Sequence, residues 1–156
     1  MTDRQDTSYL ISDDLASSET QSEQLLDEMV TIGSLVTMSL LTLRNQIKIY
    51  HWQTTSYAKH KALDKLFVIL NSQNDRWVET FMGKYGRISL ENINNNIKLH
   101  NINDKLPVTQ YLKQWVVQMR SIRDRHFDTS KDSDLSNIFD EIFGDIYKTC
   151  YLLSLQ

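Results

Sequence analysis

With 156 residues, 40% of them apolar and 24% charged, the chain suits one domain that can bury a proper core. Residues 1–24 carry Asp3, Asp6, Asp13, Asp14, Glu19 and Glu23 against Arg4 in a chain of net charge −3, and such an acidic end makes DNA binding an unexpected role. The single Cys150 allows no internal disulfide and reads as a buried small hydrophobe, no run of about 18 apolar residues argues for a membrane span, and the polar N-terminus has no apolar leader, so a reducing, cytoplasmic setting is expected.

In chain order, residues 1–20 are rich in Ser, Thr, Asp and Gln and are expected to form a disordered acidic tail ahead of a folded unit at 21–156. Leu25, Met29, Ile32, Leu35, Val36, Leu40, Leu43, Ile47 and Tyr50 recur mainly at three- and four-residue steps, which predicts a helix over 21–53. Gln53 to Ser56 form a polar break, and a second helix is predicted from Tyr57 to Met82, closed by Gly83 and Gly86. Residues 87–107 are Asn-rich and read as a crossover with one short helical turn around Ser89 to Leu99. Pro107 opens a third helix at 108–127. After a polar turn from Asp128 to Asp134, Leu135 to Leu153 form a fourth. With no strand signal, the fold class is all-α: a four-helix bundle with a ferritin-like connection and a short helical crossover between helices 2 and 3.

Five metal-capable side chains stand out: His51, His60, Asp64, Asp75 and Glu79. The last four form His-x-x-x-Asp and Asp-x-x-x-Glu, pairs that share one face of the second helix. At 1.5 Å rise per residue the two pairs lie roughly 20 Å apart, too far for one chain to close on one ion. Leu63, Leu66, Phe67, Leu70, Trp77 and Phe81 form the core stripe, while Tyr57, Val68, Asn71, Val78 and Met82 interleave with the ligands. That extra apolar flank marks a partner surface. Two copies of the helix crossing antiparallel near Ile69 and Leu70 bring His60 and Asp64 of one copy to Asp75 and Glu79 of the other, giving two identical sites per two-fold interface. His51 joins from the His60 side. Two imidazoles and three carboxylates suit Fe(II), tolerate Zn(II) or Mn(II), and hold Fe(III) after oxidation. The plainer reading is that i,i+4 His–Asp pairs are solvated ion pairs. His100 and His126 read as surface or supporting residues, Trp52, Trp77 and Trp115 as packing, and Asp140, Glu141 and Asp145 as a solvated face or an iron path.

The order His51-Trp52, His60-x-x-x-Asp64, Asp75-x-x-x-Glu79 resembles the ferroxidase signature of Dps-like mini-ferritins. The wording of residues 51–60 and 83–87 is most similar to uncharacterised ferritin-like proteins of phages and large DNA viruses. The resemblance implies hollow dodecamers and iron sites at two-fold interfaces, with His51, His60 and Asp64 from one chain and Asp75 and Glu79 from its neighbour. It also implies Fe(II) oxidation by peroxide, ferric iron storage, protection against oxidative stress, and a place in a host cytoplasm or a virion. The loop from His51 to His60 is shorter than the family's, the tail lacks the basic residues some members use on DNA, and the Glu-x-x-His di-iron motif of ordinary ferritins is absent. The competing expectation is a non-enzymatic oligomeric scaffold or virion-associated protein with a structural or vestigial metal.

Overall fold

The computed structural model describes residues 8–103 and 105–155, with side chains from residue 19 onward. Four helices make up its regular structure: α1 (Ser8–Gln53), α2 (Tyr57–Tyr85), α3 (Val108–His126) and α4 (Ser133–Ser154). Among the described residues the only strand-like pairing is an isolated bridge between Asn103 and Leu106.

The first helix begins at Ser8, well inside the segment expected to be a disordered tail; residues 1–7 lie outside the described region. The chain has neither Gly nor Pro before Gly33. A helix nucleated downstream therefore meets no breaker, and extending it costs little per residue. Residues 19–28 are exposed, Leu25 and Leu26 included, so this part of α1 stands clear of the core. By length and composition Glu19–Gln53 is long and apolar enough to cross a membrane, contrary to the expectation from the absence of a long unbroken apolar run. Within this fold, Val36, Leu40, Leu43, Ile47 and Tyr50 of that segment are fully buried in the bundle.

The second helix ends three residues later than predicted. Gly83 stays helical, and Gly86 stops the helix with φ 98°, a left-handed conformation that disfavours a side chain; its N–H closes on the Met82 carbonyl. At the other end the Ser56 hydroxyl accepts from the Lys59 N–H at 3.4 Å. The interior Gly33 has a different purpose. A Cβ there would run into the ring of Phe81, which is itself stacked on Trp77 at 5.3 Å between centroids. Gly33 thus sets how closely α1 approaches α2.

Helix α1 packs on α2 and α3, and α4 packs on the same two, so α2 and α3 occupy opposite corners. The crossover at 86–107 joins those corners by running along α1. The Ser89 N–H donates to Ser34 Oγ (2.9 Å), Gln46 and the His100 backbone exchange bonds of 2.7 and 2.9 Å, and the Ile102 N–H donates to Gln53 Oε1 (2.8 Å). It therefore returns to the end where α2 began, so α3 runs parallel to α2. Helix α4 then reverses, with Cys150 Sγ beside the Thr109 carbonyl and Lys84 Nζ 3.0 Å from Asp134. The topology is up-down-down-up with one long crossover.

The helical turn expected around Ser89 to Leu99 is absent; that stretch holds only a turn and a bend near Glu91 to Ile93. Side chains compete for the backbone there. Ser89 Oγ accepts the Glu91 N–H, Asn94 Oδ1 accepts the Asn96 N–H, and Asn95 Nδ2 donates to the Leu90 carbonyl.

The α3–α4 turn is organised by two aspartates. Asp132 is buried, accepting the Tyr85 hydroxyl and the Asp128 N–H (2.9 Å) with Lys84 Nζ 2.9 Å away. Burial, reinforced by the bond to Asp132, pushes the Tyr85 hydroxyl up to about 12. Asp128 accepts the Ser130 hydroxyl (2.5 Å) and the Lys131 and Ser130 N–H groups, which hold its carboxyl down at about 2. A carboxylate lowered in the folded state contributes stability above its unfolded pKa of about 3.9 and loses it as pH falls through the folded value. The turn is therefore expected to loosen between about pH 4 and pH 2. Ser130→Ala should raise the Asp128 titration midpoint, followed by carboxyl NMR; an unchanged midpoint would contradict this account of the turn.

Candidate metal centre

The last turn of α1 and the first turns of α2 hold His51, His60 and Asp64 together. The three-residue break at 54–56 folds the chain back so that the two imidazoles stack, with centroids 3.8 Å apart and planes 28° apart. Each ring is tied to the other residue's backbone: His51 Nδ1 lies 3.1 Å from the His60 carbonyl and His60 Nδ1 lies 2.9 Å from the His51 carbonyl. A carbonyl only accepts, so both Nδ1 atoms carry a proton, and Nε2 is the nitrogen of each ring whose lone pair a metal could take. Metal-ligating histidines are commonly fixed in this way.

His51 is buried, with Nε2 3.7 Å from Asp64 Oδ1. That is too long for a hydrogen bond. Two donors sharing an ion at bonds of about 2.1 Å stand roughly 3 to 3.4 Å apart, so a small inward movement of Asp64 suffices. Lys48 is the rival occupant: its ammonium lies 3.7 Å from the same oxygen and 4.5 Å from the Phe67 ring centroid. Lys48 precedes His51 by one helical turn and so shares its face.

Asp75 and Glu79 lie farther along α2, exposed on the wall of a separate cavity that Arg44 and Asn74 also line. Neither carboxylate has a hydrogen-bond or ion-pair partner among the described residues. Arg44 turns instead to Asn71 Oδ1 (3.0 Å). One chain thus brings together His51, His60 and Asp64 and leaves Asp75 and Glu79 apart. Among the described residues no three His, Cys, Asp or Glu side chains form a group that could hold an ion by themselves.

The surface around these donors carries Trp52, Tyr57 and Val68, exposed by 65%, 78% and 61%. Trp77 and Trp115 are buried, as packing residues should be; Trp52 is not, because it sits beyond the bundle-facing side of α1. His100 belongs to a further cluster that the sequence did not reveal. Its Nε2 lies 2.5 Å from the hydroxyl of buried Tyr50, with Tyr111 edge-on to both rings. Burial raises the Tyr50 hydroxyl well above its usual range, with the neighbouring Tyr111 adding to the shift. This cluster pins the crossover to α1.

Of the acids of α4 singled out in the sequence, Asp140 and Glu141 are matched by cations. Asp140 pairs with Arg123, and Glu141 accepts from Gln73 (3.0 Å) and Arg76 (2.6 Å), contacts that lower its carboxyl pKa in that order. They read as a solvated ion-pair face. Cys150 is buried, and burial pushes its thiol up, as a packing cysteine requires.

No curated protein and no solved structure matches the chain. A family model does, over residues 51–153, from His51 through most of α4, and the chain belongs to that family, a family of unknown function designated DUF5856.

Proposed function

We propose that the protein is a Dps-like ferroxidase and iron-storage protein, a ferritin-like bundle that oxidises Fe(II) at sites shared across a two-fold interface and keeps the ferric product inside a cage of its own copies. The observation that carries this is the mutual clamp of His51 and His60. Both rings are tied through Nδ1, which leaves Nε2 of each as the nitrogen able to take a metal, that of His51 lying 3.7 Å from Asp64. The up-down-down-up order with one long crossover supports a ferritin-like bundle, the class of four-helix protein that carries one such connection.

The rest of the site comes from the second copy. Asp75 and Glu79 are exposed and unpaired, on the same apolar-flanked helix as the clamp, and an antiparallel crossing supplies them to the partner's histidines. Imidazole favours Fe(II), and three carboxylates favour the Fe(III) produced. With peroxide as oxidant, two Fe(II) each give one electron, the O–O bond breaks, and two protons complete two waters, so no hydroxyl radical leaves the site.

A second reading draws on Lys48. Its ammonium already neutralises Asp64, as in a non-enzymatic oligomeric scaffold or virion component that retains the interface without using the metal. Anaerobic Fe(II) titration followed by peroxide separates the two. The ferroxidase reading predicts saturable binding and ferric absorbance growing faster than in a protein-free control. Absorbance no faster than the control, or a clean monomer on sizing at micromolar concentration, would overturn it.

A further inference from the structure

Tyr50 directly precedes His51 in the last turn of α1, yet it is fully buried in the bundle. Among the described residues its hydroxyl has one hydrogen-bond partner, Nε2 of His100, at 2.5 Å. A buried hydroxyl proton needs an acceptor, so Tyr50 donates and His100 accepts. The Gln46 side chain fixes the His100 backbone through bonds of 2.7 and 2.9 Å, and Tyr111 lies edge-on to both rings, at 5.7 and 5.1 Å between centroids. Docking the crossover does not require the tyrosine hydroxyl, since Ser34, Gln46 and Gln53 already hold it with neutral bonds.

A phenol loses an electron far more readily when its proton can move at the same moment to a base. Burial keeps the Tyr50 hydroxyl protonated until that moment. Trp52, on the other side of His51 in the chain, is a poorer donor: it is exposed, and the Lys48 ammonium 5.7 Å from its ring centroid opposes a further positive charge. We infer that Tyr50 is a redox-active residue that gives an electron to oxidising equivalents formed at the neighbouring iron site, with His100 taking its proton. This role rests on the ferroxidase reading above, and it falls to sites that hold one Fe(II) instead of two. One Fe(II) gives peroxide a single electron, so the O–O bond breaks to hydroxide and a hydroxyl radical. An electron from Tyr50 turns that radical into a second hydroxide, while the phenol proton crosses its hydrogen bond to Nε2. A neutral tyrosyl radical and an imidazolium remain. A second Fe(II) returns the electron as it becomes Fe(III), and His100 returns the proton. Two Fe(II) are then oxidised per peroxide and both side chains are restored.

Freeze-quench electron paramagnetic resonance on the full-length protein, given excess peroxide and less than one Fe(II) per chain, tests this role. Wild type should show a tyrosyl radical that disappears when further Fe(II) is added. Tyr50→Phe, which keeps the ring in the core, should show none and should release more hydroxyl radical to a spin trap. His100→Gln should slow formation of the radical by about 100-fold, because glutamine cannot take the proton. Ferric absorbance is read on the same samples. Iron oxidised at the protein with no Tyr50-dependent radical would overturn the role of Tyr50 and leave the ferroxidase reading standing. Iron oxidised no faster than in a protein-free control would overturn that reading, and the role of Tyr50 with it. An unchanged rate in His100→Gln would overturn the pairing, and this variant decides the question should Tyr50→Phe fail to fold.

Discussion

Phe81→Ala is expected to cost about 3–5 kcal/mol, a large part of the 5–15 kcal/mol that typically holds a domain together. The Phe81 ring is fully buried, stacked on Trp77 and edge-on to Phe127, and it fills the space that Gly33 leaves open on α1. Removing it leaves a cavity against Gly33 of α1, and for a chain of this length each kcal/mol moves the melting temperature by about 2–4 °C. A circular-dichroism melt should therefore fall by roughly 6–20 °C. Gly33→Ala attacks the same contact from the other side. It gains about 1 kcal/mol of helix propensity, yet overpacks against a ring that its aromatic neighbours hold in place, at a cost of about 1–3 kcal/mol. The two changes should couple, Gly33→Ala being better tolerated once Phe81 is reduced to leucine. Additive melts would show that the close approach of α1 and α2 does not rest on this pair.

The parts of the fold that were legible in the sequence are those fixed by local chemistry. The start of α2 follows from the Ser56 cap and its end from the only described glycine with positive φ, Gly86; Gly83, equally suggestive in the sequence, proved to be an ordinary helical residue. Core stripes on α2 and α4 follow from apolar periodicity, because each helix buries one face. The N-terminal reach of α1 was hidden, since polar composition suggests disorder, whereas helix extension needs only the absence of breakers. In the crossover a short helix was expected where Asn and Ser side chains take the backbone bonds instead, and where Gln46 and Gln53 of α1 capture the rest. The five candidate donors could be named from spacing. Their division into a clamped trio and an unpaired pair could be seen only in part, because the tie between His51 and His60 depends on how tightly residues 54–56 turn. Lys48 and Arg44 carry no motif that singles them out in the sequence; in the fold they lie against Phe67 and Asn71.

His60→Ala/Asp64→Ala is expected to abolish peroxide-driven Fe(II) oxidation above the protein-free rate, a loss of about 100-fold or more, since it removes one imidazole and one carboxylate from each site. The fold should survive, as His60 and Asp64 are only half-buried and neither belongs to the apolar core. Asp75→Ala/Glu79→Ala should be as inactive, again with a near-native melt. These two inactive proteins differ in which half of the site they lack. If one chain supplies His51, His60 and Asp64 and its neighbour supplies Asp75 and Glu79, a mixed pair holds one complete site and one that is doubly broken.

The most direct measurement is therefore co-expression of the two variants with separate tags, purification of the mixed assembly, and stopped-flow Fe(II) oxidation with peroxide. For random pairing at equal amounts, half of the two-fold pairs are mixed and each regains one of its two sites, so about a quarter of wild-type activity should return. A mixed assembly that carries both tags yet remains as inactive as either parent would contradict a site shared between copies.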